Sequence, residues 1–239
     1  MDRVLAWSLL IALVGGLVRG TTGFGAAMVM TAPLALLLGP RTAVPVTLLL
    51  ETFAAAPMLP AALALARWRV IAPICSAAVL AVPAGGLLLA LASPLTLRRL
   101  IAATVVLFSL ALLSGRQYKG AQRLSTSVGL GALSGTMLGA TSVGAPPVIL
   151  YLLSGPDPVP VTRANLTLYV VVISAAGLVM LGASGLLTAA TLRQAGWLAL
   201  PFAAGVVAGS RLFSRFSDQR FRQLTIMLML LVSLGVLLA

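Results

Sequence analysis

The sequence predicts an all-α, polytopic bundle of transmembrane helices built from two inverted repeats, each a Gly-rich broken or re-entrant helix pair followed by three full spans. Three observations carry that expectation: a composition too apolar for water, long stretches without a charge, and motifs that recur in the same order about 115 residues later.

Hydrophobic residues make up 60% of the 239 and charged residues 8%, against roughly 45–50% and 25% in soluble domains. The 16 Lys+Arg and 4 Asp+Glu cannot cover the surface of a water-soluble globule of this size. Lipid is therefore the expected solvent for most side chains. A formal net charge of +12 would suggest nucleic acid in a soluble protein. Here the basic residues stand singly or in twos and threes between apolar runs, as loop charges of a membrane protein do, so no nucleic-acid partner is expected.

A single cysteine, Cys75, and no histidine exclude an intrachain disulfide, a multi-cysteine metal cage and a CxxC redox pair, and remove the commonest proton shuttle and metal ligand. No Walker-type phosphate loop is present. The chain is expected to need no cofactor or metal and to hold no catalytic residues. Arg3 and the apolar stretch after it resemble a signal peptide, but Val14-Gly15-Gly16 is a poor cleavage site and the apolar sequence continues past it. Met1 onward is expected in the mature protein.

A spanning helix takes roughly 20 apolar residues, so the intervals between charges delimit the spans. Val70 to Leu97 is 28 residues without a charge, Leu124 to Pro156 is 33 and Ala164 to Leu192 is 29. Val44 to Leu65, Leu100 to Gly115 and Gln223 to Ala239 are further apolar segments. None alternates polar with apolar residues, as strands of a membrane barrel would. Trp68, between Arg67 and Arg69, reads as an interfacial anchor.

Two segments are interrupted. Val4 to Leu38 is broken by Gly20-Thr21-Thr22-Gly23-Phe24-Gly25, and Leu130 to Leu153 by Gly135, by Gly139-Ala140-Thr141-Ser142-Val143-Gly144 and by Pro146-Pro147. Irregular backbone at membrane depth is tolerated only against protein or a water-filled cavity. The interruptions also correspond. Gly20 matches Gly135 and Pro45-Val46-Thr47 matches Pro160-Val161-Thr162 at a shift of 115, with Gly39-Pro40 and Gly155-Pro156 at 116 and Pro33 and Pro147 at 114. The first repeat is placed at 1–115 and the second at 124–239, joined by a basic linker, 116–123, within a single membrane domain.

Loop charges test the topology. With each broken segment entering and leaving on one side, one face holds Arg3, Arg41, Arg98, Arg99 and Arg193. The other holds Arg67, Arg69, Arg116, Lys119, Arg123, Arg163, Arg211, Arg215, Arg220 and Arg222. The positive-inside rule then makes the second face, with the linker, cytoplasmic and puts both termini outside. An odd number of crossings per half makes the halves inverted.

Inverted repeats with a discontinuous helix in each half point to a transporter site near the midplane. Half-helices starting at the breaks offer unpaired amides and about half a unit of positive charge, which suits an anion. The expected substrate-binding residues are Arg19, Gly20, Thr21, Thr22, Gly23 and Gly25 in the first half and Gly139, Thr141, Ser142, Gly144 and Pro146 in the second. The rival reading makes the glycines small-residue contacts between helices, in a scaffold that moves nothing. An unpaired arginine at the bilayer centre costs about 2.5 to more than 10 kcal/mol. A bound anion, Glu51 or helix-end carbonyls could compensate Arg19, as could snorkelling to an interface. Glu51 lies inside an apolar helix, as an ion-pair partner, a group coupling transport to protons, or a neutral acid hydrogen-bonded in the bundle. Arg163 and Asn165 open the matching helix of the second half, as interfacial anchors or as residues of a cavity mouth.

Together these motifs resemble the sulfite exporter TauE/SafE family, also called the toluene sulfonate uptake permease family. Gly16-Leu17-Val18-Arg19-Gly20-Thr21-Thr22-Gly23-Phe24-Gly25 followed by Pro33 is similar to its opening Gly-rich motif. The second copy is Gly131 and Gly135, then Gly139, Gly144-Ala145-Pro146-Pro147 and Tyr151, followed by Arg163-Ala164-Asn165-Leu166, and Pro83-Ala84-Gly85-Gly86 also suits the pattern. Many relatives have three consecutive glycines where this chain has Thr22-Gly23-Phe24-Gly25. The resemblance implies a bacterial inner-membrane permease or exporter of small anions, often sulfur-containing ones such as sulfite, sulfoacetate or sulfonates. Membrane lipid is the expected surrounding; any coupling would use a proton or ion gradient, and a homo-oligomer is a possible assembly. Related thiosulfate carriers depend on several cysteines, which argues against that activity for a chain with Cys75 alone.

Overall fold

The structure is a computed structural model that describes residues 3–22, 25–114 and 123–213. Among them every regular element is helical, because in lipid a helix satisfies each backbone group within its own segment. Of the expected elements, Gly23, most of the linker and the segment from Gln223 to Ala239 lie outside the described residues.

The α-helices among the described residues are, in chain order, α1 (Arg3–Thr22), α2 (Ala26–Leu38), α3 (Pro40–Ala55), α4 (Leu59–Leu65), α5 (Trp68–Leu91), α6 (Pro94–Leu113), α7 (Leu124–Thr141), α8 (Ala145–Leu153), α9 (Val159–Ala183) and α10 (Ala189–Phe213). The expected apolar helix from Val44 to Leu65 is bent. A 3-10 turn, Ala56–Met58, separates α3 from α4, where Pro57 and Pro60 remove amides and crowd the preceding turn. Five segments are long and apolar enough to cross a membrane: Arg3–Thr21, Pro40–Leu65, Trp68–Leu91, Pro94–Ala111 and Pro160–Ala183. On the outside, Leu80, Leu91 and Leu200 are each at least 80% exposed. A surface of that kind is stable in lipid, and the chain is an integral membrane protein.

Both breaks are narrower than the sequence suggests. Helix α1 continues through Gly20 to Thr22, and α7 through Gly135 and Gly139 to Thr141. The chain leaves helical geometry around Gly25, in left-handed conformation at φ 88°, and again at Ser142 to Gly144. The glycines before the breaks serve contact between helices. Gly16 and Gly20 of α1 lie against the backbone at Phe202 and Val206 of α10, whose Gly205 and Gly209 lie against Leu13 and Leu17. In the same way Gly131, Gly135 and Gly139 of α7 lie against Ile74, Ala78 and Val82 of α5. Four-residue spacing puts the small residues on one face, and close backbone approach outweighs the low helix propensity of glycine.

Helices α3 and α9 touch, with α10 packed on α3 and α5 on α9. Arg41 donates to the Ala90 carbonyl (2.6 Å) and Arg98 to the Ala35 carbonyl (3.2 Å), tying the α2–α3 and α5–α6 turns together at one end. Arg67 pairs with Asp157, and its amide donates to Asn165 Oδ1 (2.8 Å), tying the α4–α5 turn to the start of α9. Buried Thr31 of α2 shares a hydrogen bond with Ser142 (2.7 Å), which ties α2 to the second break. Interhelical hydrogen bonds in membranes average about 0.6 kcal/mol, and an unpaired buried hydroxyl costs about 1–3 kcal/mol. Thr31→Val is therefore expected to lower stability by about that larger amount, with Thr31→Ser near wild type, as measured by denaturation in detergent.

Candidate anion site

Four helix ends converge on one pocket: the carboxyl ends of α1 and α7 and the amino ends of α2 and α8. Arg19, Gly25, Ala27 and Met28 line it from the first break, and Ser142, Gly144 and Pro146 from the second. Glu51 of α3 and Ser174 of α9 close its sides. Its volume, about 30 Å³, has room for a water or two.

Arg19 and Glu51 form an ion pair in this pocket, with Arg19 Nη1 3.3 Å from Glu51 Oε2 and side chains 5% and 7% exposed. Such burial would be costly for either charge alone. Helix ends compensate both. Arg19 sits in the last turn of α1, where backbone carbonyls leave partial negative charge. Glu51 Oε1 accepts from the Ala27 amide at the start of α2 (2.9 Å), where unpaired amides leave partial positive charge. Glu51 thus occupies the kind of site a bound anion would use.

The second break is poorer in donors. Pro146 and Pro147 in the first turn of α8 have no N–H. The Val143 amide donates to Thr141 Oγ1 (3.1 Å), so it is engaged as well. The two breaks are therefore chemically unequal. Ser134 donates to the Gly144 carbonyl and receives a bond from Tyr169, a buried chain that fixes the entry to α8.

The sequence profile of a family of membrane anion exporters matches residues 8–236. The chain belongs to the sulfite exporter TauE/SafE family. No curated protein and no solved structure matches it. TauE/SafE proteins are transporters of sulfur anions, and the apolar spans suit that assignment.

Within this TauE/SafE chain the expected binding residues divide. Arg19, Gly25, Ser142, Gly144 and Pro146 line the pocket together with Glu51. Gly20 and Gly139 do not; they face the backbones of α10 and α5 at distances that leave no room for a ligand. Thr21 donates to the carbonyls of Leu17 and Val18 (3.0 Å each), and Thr141 to that of Met137 (2.7 Å), so both hydroxyls serve their own helices. For Thr22 only the backbone is described. Arg163 is exposed on the first turns of α9. Asn165 is fully buried away from the pocket, with Oδ1 taken by the Arg67 amide. The sequence reading did not single out the Ala27 amide, Thr31, Ser134, Tyr169 or Ser174. A backbone donor carries no residue signature, and the others are ordinary helix residues until the fold assembles them.

Proposed function

We propose that this TauE/SafE protein is a permease for small sulfur-oxygen anions, sulfite or short organosulfonates, that exposes the pocket alternately to the two sides of a bacterial inner membrane. The observation that carries this reading is a buried guanidinium at the end of α1 that shares, through Glu51, one pocket with the amino end of α2. Charge and amides directed at one spot are what an oxyanion needs. The halves, 1–115 and 124–239, act as inverted repeats that rock against each other, with the ten-charge face and the linker cytoplasmic. Supporting this, the α1–α10 and α5–α7 contacts use the same glycine spacing.

Glu51 couples movement to protons, and no catalytic step is involved. A scaffold of packed helices accounts for Gly20 and Gly139 but gives no reason for an internal ion pair. The test is counterflow of labelled sulfite or sulfoacetate into proteoliposomes loaded with unlabelled anion. Saturable uptake above protein-free vesicles is expected, and its absence for sulfite, sulfoacetate and short sulfonates would remove the transport reading.

A further inference from the structure

We infer that Glu51 is a tethered competitor of the transported anion, so that the cargo is a monoanion accompanied by one proton bound on Glu51. The inference rests on the transport reading above and deepens it. Its basis is that the Glu51 carboxylate occupies two donors of the first half, the Arg19 guanidinium and the Ala27 amide. The remaining space of about 30 Å³ takes roughly one or two waters and no sulfonate. An anion can therefore bind only when the carboxylate leaves those donors.

Charge decides the form in which it leaves. Arg19 and ionised Glu51 make the buried site neutral. Adding a monoanion beside ionised Glu51 would leave an uncompensated buried charge, which is strongly unfavourable. When a proton from solvent attaches to a Glu51 carboxylate oxygen, the neutral acid gives up the ion pair and the monoanion takes its place, so the site is neutral again. A dianion such as sulfate leaves an excess negative charge even then. The site thus selects hydrogensulfite and organic monosulfonates.

Other ionisable groups are placed elsewhere. Among the described residues lining the pocket from α1, α2, α7, α8 and α9, Arg19 is the only other charged one. On the helices packed against α3, Tyr169 of α9 donates to Ser134 and Arg98 of α6 to the Ala35 carbonyl, while Arg99 of α6 is exposed. Arg163 is exposed, Arg193 and Arg211 stand toward the two ends of α10, and Arg69 and Cys75 lie in the first turns of α5.

The experiment is titration calorimetry of the full chain in nanodiscs with methanesulfonate, a monoanion, and sulfate, a dianion. It is run in buffers of different ionisation enthalpy and over a range of pH. The wild type is expected to take up one proton per methanesulfonate and to lose about tenfold in affinity per pH unit on the alkaline side. Glu51→Gln is expected to bind methanesulfonate without proton uptake or pH dependence, and more tightly than wild type at alkaline pH. Sulfate is expected to bind at least about tenfold more weakly, a difference of about 1.4 kcal/mol. Binding of methanesulfonate to the wild type with no proton uptake would overturn the inference and leave the transport reading standing. Equal affinity for sulfate would do the same. Failure of the wild type to bind any sulfonate or sulfite would overturn both. The proton count on wild type needs no variant to fold.

Discussion

Arg19→Ala is expected to abolish anion counterflow and to destabilise the protein, and the two effects can be separated. Removing one partner of a buried ion pair costs about 3–5 kcal/mol, because the other charge is left behind. Here Glu51 would keep its carboxylate at 7% exposure with, among the described residues, the Ala27 amide at the start of α2 to hold it. The single variant should therefore fold in lower yield and denature earlier in detergent. The double variant Arg19→Met with Glu51→Leu removes both charges and fills the space with apolar atoms, a change that is often neutral or stabilising for buried pairs. It should regain near-wild-type stability and still show at least about a hundredfold loss of counterflow, equivalent to roughly 2.8 kcal/mol. Counterflow in the double variant at wild-type rate would disprove the role assigned to the guanidinium. Arg19→Lys keeps a charge without the planar fork and should bind anions weakly.

Gly135→Val should be nearly as damaging without touching any charge. A Cβ at position 135 would overlap the Ala78 carbonyl oxygen and the Ala78 backbone of α5. A backbone carbonyl cannot turn aside as a flexible side chain can, so α5 and α7 must separate. Overpacking of this type costs about 1–3 kcal/mol and occasionally more, and the upper part of that range is expected. Because α7 ends at the residue before Ser142, its displacement also moves the pocket wall, and transport should fall with stability. Gly129, on the same helix, has no neighbour for an added Cβ. Gly129→Val should leave both thermal stability and counterflow close to wild type, and equal damage at the two positions would refute the packing argument.

The spans were legible in the sequence because charges are rare and lipid tolerates few of them, so the uncharged intervals already outline α5 to α7 and α9. Arg19 and Glu51 were legible as candidates for the same reason: each is alone in apolar surroundings, though their contact depends on the fold. The glycines were not legible in full. Gly20 and Gly25 are five positions apart in one motif, yet the first packs against α10 and the second turns the chain at positive φ. A small residue at a close crossing and a small residue at a turn look alike until the neighbouring helix is in place. Asn165 illustrates the same limit, since its partner, the Arg67 amide, is 98 residues away. The proline pair of α8 was visible, but its chemical meaning, two missing donors, depends on where that helix begins.

Those two imino rings carry a consequence for how such a carrier would share labour between its flanks. On the transport reading proposed above, oxygen atoms of a passenger would find hydrogens to lean on along α1 to α3 and few at the head of α8, so the passenger would ride with the first flank while the second slid past it. Choice of passenger would then be inscribed in α1 to α3, and pace in α7 and α8.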